Sequence, residues 1–181
     1  ANRTITKSDI DEALEEAHSG EFLLIQNEIS ALDYLIDRAC EKEMRVVFNA
    51  APMSKDVNAL PLEAIELLVI NEIEGFELTK KTVPDEIITT LSSRFTDTNI
   101  LLTLGAAGSI YAGRGDSVFQ PARKVDAVDT TAAGDTYVGF FLAGYSAGNS
   151  VEECLALATS AAAMCVMRAG AATSIPGLHE L

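Results

Sequence analysis

The sequence predicts an α/β fold in which a mainly parallel sheet is covered by helices on both faces. Three observations predict it. Short apolar runs recur at Phe22-Leu23-Leu24-Ile25-Gln26, Arg45–Asn49, Leu67–Ile70 and Asn99–Leu104, as buried parallel strands require. The segments between them carry apolar residues at helical spacing. The two patterns alternate, which calls for right-handed crossovers between neighbouring strands.

Each element can be justified in order. Thr6-Lys7-Ser8-Asp9, followed by Ile10, Ala13, Leu14 and Ala17, reads as a capped amphipathic helix ending near Gly20. After the first strand, Leu32, Leu35, Ile36 and Ala39 sit at i, i+3, i+4, i+7 and predict a helix from about Ala31 to Lys42. Helices are expected near Glu72–Leu78 and from about Asp85 to Phe95. Ser109–Tyr111 and Ser117–Phe119, separated by Gly113-Arg114-Gly115-Asp116, predict an antiparallel hairpin at the sheet edge. Two long helices close the chain, Gly134–Ala147 and Val151 to about Met167. The first is apolar nearly all round, so burial against the sheet is expected, and Gly139 and Gly144 within it suggest close approach of a neighbouring backbone.

Composition narrows the function classes. The 181 residues, 48% apolar, can bury roughly 70% of their unfolded surface in one α/β domain, with no linker composition to divide it. A net charge of −14 repels a phosphate backbone or an anionic membrane surface, which excludes nucleic acid as a partner. The apolar runs around Phe140 and Ala161 fall short of the roughly 20 residues that a membrane span needs. Cys40, Cys154 and Cys165 lack metal or redox spacing and are read as buried apolar side chains in a reducing, cytoplasmic setting. His18 and His179 are isolated and expected to be solvated.

The most informative stretch is Ala127-Val128-Asp129-Thr130-Thr131-Ala132-Ala133-Gly134-Asp135-Thr136. Small residues there let backbone N–H groups approach an anion at a helix start. Asp135, in the first turn, is placed to take a proton from a hydroxyl. Thr130 or Thr131 could equally be an ordinary helix cap, and Asp is favoured near any helix N-terminus. In open parallel sheets ligands lie beyond the carboxyl ends of strands. Glu28, Asn49, Asn71 with Glu74, and Gly105–Gly108 all follow strands.

The decapeptide as a whole resembles the C-terminal signature of the ribokinase family of carbohydrate kinases, and the resemblance runs from about Thr6 to Pro176. It implies a three-layer αβα fold with mainly parallel sheet. The chain is expected to be an incomplete nucleotide-binding domain spanning residues 1–181. It begins at Ala1-Asn2-Arg3 without the family's first strands, lid and Gly-Gly sugar motif, which suggests the C-terminal part of a longer pattern. The implied reaction is ATP-dependent phosphorylation of a sugar hydroxymethyl group. D-ribose giving ribose 5-phosphate is the leading acceptor; another sugar, a nucleoside, or a non-catalytic nucleotide-binding module are the alternatives.

The resemblance also assigns roles. The amides of Ala132, Ala133 and Gly134 form an anion hole for the γ-phosphate, with Asp135 as base. Glu28 binds sugar hydroxyls, and Asn49-Ala50-Ala51-Pro52 stands where the family has Asn-Pro-Ala-Pro. Asn71-Glu72-Ile73-Glu74 is similar to the family's N-x-x-E motif, with Asn71 toward nucleotide and Glu74 toward Mg²⁺. Thr103-Leu104-Gly105-Ala106-Ala107-Gly108 resembles the nucleotide turn, so Thr103, Gly105 and Gly108 are expected to contact ATP. Cys165, Arg168, Gly170 and Ser174, with Asp129 and the Thr131 carbonyl, correspond to a monovalent-cation (K⁺) site. The acidic charge makes Mg²⁺ a natural companion of ATP. A homodimer is the expected assembly of the complete protein.

Overall fold

Thr6 opens the first helix, α1 (Lys7–Ala13), through a capping box. Its Oγ1 accepts the Asp9 amide at 3.3 Å and its own amide donates to Asp9 Oδ2 at 2.8 Å. The helix ends at Ala13, well short of Gly20. Ile10 and Leu14 are buried, but Ala13 is exposed and Ala17 only half-buried, so little holds a further turn against the core. Gly20, at φ +83°, donates instead to the Glu43 carbonyl at 3.0 Å.

The computed structural model describes residues 2–113 and 115–181. They fall into two compact units, one of residues up to Leu102 with Ala112–Asp116, the other of Thr103–Tyr111 with Ser117–Leu181. In the sheet the strands run in the order β1-β2-β3-β4-β5-β6, which is their order along the chain.

In the first unit, β1 (Phe22–Gln26) pairs in parallel with β2 (Arg45–Asn49), Gln26 lying opposite Asn49. β2 pairs in parallel with β3 (Leu67–Asn71), Asn49 lying opposite Val69. β4 (Asn99–Thr103) follows. Val46–Phe48, Leu67–Ile70 and Ile100–Leu102 are buried without alternation, which is the signature of strands covered on both faces. Leu24 departs from this, being 47% exposed at the centre of the outermost strand β1. Helices α2 (Leu32–Glu41), α3 (Glu72–Thr79) and α4 (Pro84–Arg94) fall where their periodicity predicts. Leu32, Leu35, Ile36 and Ala39 all turn inward from α2, and Ile87, Ile88 and Leu91 from α4.

The second unit holds most of β5 (Gly108–Gly113) and β6 (Asp116–Pro121), then α5 (Ala133–Ser146) and α6 (Val151–Val166). β5 and β6 are sheet neighbours with a connection too short for a crossover, so they pair antiparallel. Arg114, in the expected turn, lies outside the described residues. Helix α5 seats one face on β5: Tyr137 and Ser109 share a hydrogen bond of 2.6 Å, and the Phe141 ring lies 6.0 Å from that of Tyr111. Burial of α5 is one-sided rather than complete. Thr136, Tyr137, Val138, Phe141 and Gly144 are buried, whereas Gly139 and Ala143 face solvent.

The two helical glycines therefore differ. A Cβ on Gly144 would sit 3.1 Å from Cys154 Sγ, so Gly144 is the contact that brings α5 against α6; a Cβ on Gly139 would meet nothing within 4 Å. All three cysteines are free thiols, and Cys154 and Cys165 are buried as expected. Cys40 is only half-buried, because its thiol lies beside the Ala64 carbonyl at 3.4 Å rather than in the core. No helix among the described residues is long and apolar enough to cross a membrane.

Candidate active site

In the second unit the signature segment is held as a rigid turn in front of α5. Asp129 accepts the Thr131 amide on Oδ1 at 2.9 Å and the Gly170 amide on Oδ2 at 3.1 Å. Hydrogen bonds from Thr131, first its side chain and then its amide, and from the Gly170 amide hold the Asp129 carboxyl below the usual carboxylate range. The amides of Val128 and Asp129 both donate to the Val166 carbonyl, at 2.7 and 3.1 Å, so the turn is moored to the last residue of α6.

No Ser or Thr side chain caps α5. Its N-cap is Ala132 in the left-handed conformation, φ +62°, without a side-chain cap bond. A non-glycine residue there costs energy that an ordinary helix start avoids. The turn places the small residues 132–134 at the N-terminal, positive end of the α5 dipole. Of the three amides expected in the anion hole, that of Ala133 donates a long 3.3 Å bond to the Thr130 carbonyl. Asp135 is exposed in the first turn of α5.

Behind this turn lies a buried chain of side chains that residue patterns alone did not reveal. Thr136 Oγ1 donates to Cys165 Sγ at 3.3 Å, Cys165 Sγ lies 3.2 Å from Ser174 Oγ, and Ser174 Oγ donates to the Ala171 carbonyl at 2.6 Å. Thr136, Cys165 and Ser174 are all buried. With the Ser174 proton committed to Ala171 and the Thr136 proton to sulfur, the thiol proton is left to Ser174 or to the Thr131 carbonyl. Cys165 Sγ also lies 3.8 Å from the Thr131 carbonyl.

The expected cation residues thus share one neighbourhood: Asp129, Thr131, Cys165, Gly170 and Ser174 are linked through these bonds. Gly170 does not cap α6, which ends at Val166 with Met167 as its cap, three residues before Gly170. Its φ of +114°, and a Cβ that would fall 2.5 Å from Thr173 Oγ1, make glycine the residue this loop accepts. Arg168 joins the cluster by backbone, its amide donating to the Cys165 carbonyl at 3.1 Å. Its guanidinium turns away to Glu180, Nη2 to Oε1 at 2.5 Å. That hydrogen bond, then one from the Gly177 amide, brings the Glu180 carboxyl down to about 2.

The turn after β4 combines two requirements. Leu104 and Gly108 are joined by an amide-to-carbonyl bond of 2.8 Å, with Gly105–Ala107 as a single helical turn between them. Gly108, at φ +122°, has no room for a side chain: its Cβ would lie 2.1 Å from the Gln120 carbonyl oxygen. Gly105, at φ +53°, has open space around it, so the surface offered beyond Thr103 is bare backbone.

In the first unit, Glu28 follows β1 and is exposed. Its amide closes a tight turn onto the Gln26 carbonyl at 2.8 Å. Asn49 ends β2 and its Oδ1 accepts the Ala51 amide at 3.3 Å. The buried Asn27, which the motif left unremarked, lies between the two loops. Asn71 and Glu74 form a capping box at the start of α3: Asn71 Oδ1 accepts the amides of Ile73 and Glu74, at 2.9 and 3.0 Å, and Glu74 Oε2 accepts the Asn71 amide at 2.8 Å. Glu74 is 4% exposed, not solvated. Burial pushes its carboxyl up, against the Asn71 hydrogen bonds that pull it down. The spacing of an amide residue three before a Glu was the signal for this box. No group of three or more His, Cys, Asp or Glu side chains among the described residues is arranged to hold a metal ion.

The chain matches the family described as pfkB family carbohydrate kinase over residues 4–178. It is 31% identical to a ribokinase of Staphylococcus aureus (strain COL), an alignment covering 100% of this chain and 62% of that protein. A solved ribokinase of Thermotoga maritima superposes with a TM-score of 0.85 at 30% identity, over 99% of this chain and 61% of that one. An Arabidopsis thaliana ribokinase solved with ribose and ATP gives a TM-score of 0.78 at 26% identity, over 97% and 57%. The chain therefore spans about 60% of the length of the relatives it matches. With a family match across nearly its whole length and a sheet of mixed sense flanked by helices, the chain belongs to the pfkB family of carbohydrate kinases.

Proposed function

We propose that the protein carrying this chain is an ATP-dependent sugar kinase that moves the γ-phosphoryl group of ATP to the hydroxymethyl group of a pentose, D-ribose being the leading acceptor. The observation that carries this reading is the 129–136 turn: a strained left-handed Ala132 at the mouth of α5, anchored through Asp129 to Gly170, with Asp135 exposed in the following helical turn. Phosphoryl transfer asks mainly for positioning and for charge stabilisation, and a pinned turn of small residues at a helix N-terminus supplies both. In this reading the backbone around Ala132–Gly134 receives the terminal phosphate. Asp135 orients the sugar hydroxyl and accepts its proton as the oxygen attacks phosphorus. The open backbone at Gly105, with Thr103 and Gly108 beside it in the same turn, is where the nucleotide lies, and Glu28 accepts hydrogen bonds from ring hydroxyls.

Two ions belong to the proposal. Magnesium supplies charge neutralisation to the nucleotide phosphates. Glu74 already accepts the Asn71 amide through Oε2, so its part in such a site runs through its other oxygen and water, with Asn71 fixing its direction. Potassium, when bound, would supply a fixed positive charge to the proposed phosphate site. The donor set suits it, being the carbonyls of Thr131, Cys165, Arg168 and Gly170, the Ser174 hydroxyl and the Asp129 carboxylate, with hard oxygens dominating.

The test is an acceptor screen on the purified enzyme with ATP, magnesium and potassium, following ADP release with D-ribose, 2-deoxyribose, fructose and adenosine. The reading expects the highest kcat/KM with D-ribose and activation when potassium replaces choline. No ADP release above the water background with any sugar overturns it in favour of a nucleotide-binding module, and preference for adenosine moves it to a nucleoside kinase.

A further inference from the structure

We infer that Asn27 is a positioning residue for sugar recognition, strapping the loop that carries Glu28 to the loop that follows β2. The inference rests on the reading of Glu28 as the carboxylate that holds the sugar. Asn27 is 5% exposed, and each of its side-chain amide hydrogens has an acceptor across the gap: Nδ2 donates to the Pro52 carbonyl at 2.7 Å and to Ser54 Oγ at 3.0 Å. Its backbone amide donates to the Ala51 carbonyl at 3.1 Å. Three bonds from one residue therefore reach three positions of the 51–54 segment, and Asn49 Oδ1 holds the Ala51 amide from the other side.

The placement gives the strap its meaning. Gln26 and Asn49 are paired in the parallel ladder, so Asn27 lies one step beyond its end, where strand pairing no longer fixes the two loops and where ligands of open sheets lie. The chain turns tightly at the next residue, the Glu28 amide closing onto Gln26, so the direction of the Glu28 side chain follows the backbone that Asn27 holds. An apolar side chain could fill the same buried volume, but it would leave the Pro52 carbonyl and the Ser54 hydroxyl without their donor. An aspartate would face the Pro52 oxygen with a second acceptor. An amide satisfies both partners.

The experiment is steady-state kinetics on the whole enzyme with Asn27→Leu, Ser54→Ala, their double variant and Glu28→Gln, each checked for folding by thermal melting. Asn27→Leu is expected to raise the sugar KM by about tenfold while the KM for ATP and kcat stay within about twofold. Ser54→Ala, which removes one of the two acceptors, should raise the sugar KM by about threefold, and the double variant should be no worse than Asn27→Leu because both changes break the same strap. A sugar KM untouched by Ser54→Ala and Asn27→Leu, equal losses toward ATP and sugar, or additive effects in the double variant would overturn the inference. Should Asn27→Leu fail to fold, Ser54→Ala alone decides between a raised and an unmoved sugar KM. If Glu28→Gln moves the sugar KM and the strap variants do not, the strap alone is wrong; if Glu28→Gln leaves it unmoved, the sugar-site reading falls with it.

Discussion

At the residue scale, Cys165 shows how much of a site can depend on a side chain that never meets solvent. Its thiol accepts from Thr136 and faces Ser174, so replacing it with alanine takes the sulfur acceptor from the buried Thr136 hydroxyl and leaves Ser174 with only its bond to the Ala171 carbonyl. Cys165→Ala should lower stability by about 1–3 kcal/mol in urea unfolding, and Cys165→Ser, which keeps a donor and an acceptor, should recover part of the loss. Asp129 makes a prediction about acid. Its carboxyl is held below the usual range in the folded state by Thr131 and Gly170, so its contribution is present above the unfolded value of 3.8 and is lost as pH falls through the lowered folded value. Asp129→Asn should therefore melt with a flatter pH dependence than the parent between about pH 5 and 3, measured by thermal unfolding. A buried carboxyl behaves in the opposite sense: with Glu74 pushed up, the folded state holds a proton the unfolded state has released, and that group's contribution falls as pH rises above 4.5.

At the scale of elements, α5 separates packing from propensity. Gly139→Ala meets open space and should stabilise the protein by about 0.5–1 kcal/mol in denaturant unfolding, the gain expected from removing a helical glycine. Gly144→Ala puts its methyl 3.1 Å from Cys154 Sγ and should cancel that gain or reverse it. The same helix marks what residue patterns can and cannot disclose. The strands Phe22–Gln26 and Arg45–Asn49 were legible to the residue, because continuous apolar runs with β-branched members admit little else. The end of α1 was not, since a Glu-rich segment keeps helical propensity after the buried stripe of Ile10 and Leu14 has run out. Asn71 and Glu74 were legible as a pair. Their mutual capping needed the backbone, because the same two residues could equally face outward.

At the scale of the whole molecule, the net charge of −14 is self-repelling. Sodium chloride raised from about 0.05 to 0.5 M should increase the melting temperature, because screening shortens the reach of that repulsion. The acidic field also sharpens the need for local positive potential wherever a triphosphate is to bind, and in the proposed reading the backbone amides of Ala132–Gly134 at the start of α5 would supply it. The decapeptide was legible as a motif. The way it is held, through Val166, Gly170 and the Thr136–Cys165–Ser174 chain, was not, since those partners lie up to 41 residues away.

The most direct measurement is of Asp135→Asn in the whole enzyme, with turnover and ADP affinity determined on the same preparation. If Asp135 accepts the sugar proton, kcat falls by about 10²–10⁴-fold while ADP affinity is unchanged. Turnover equal to that of the parent enzyme would contradict the account.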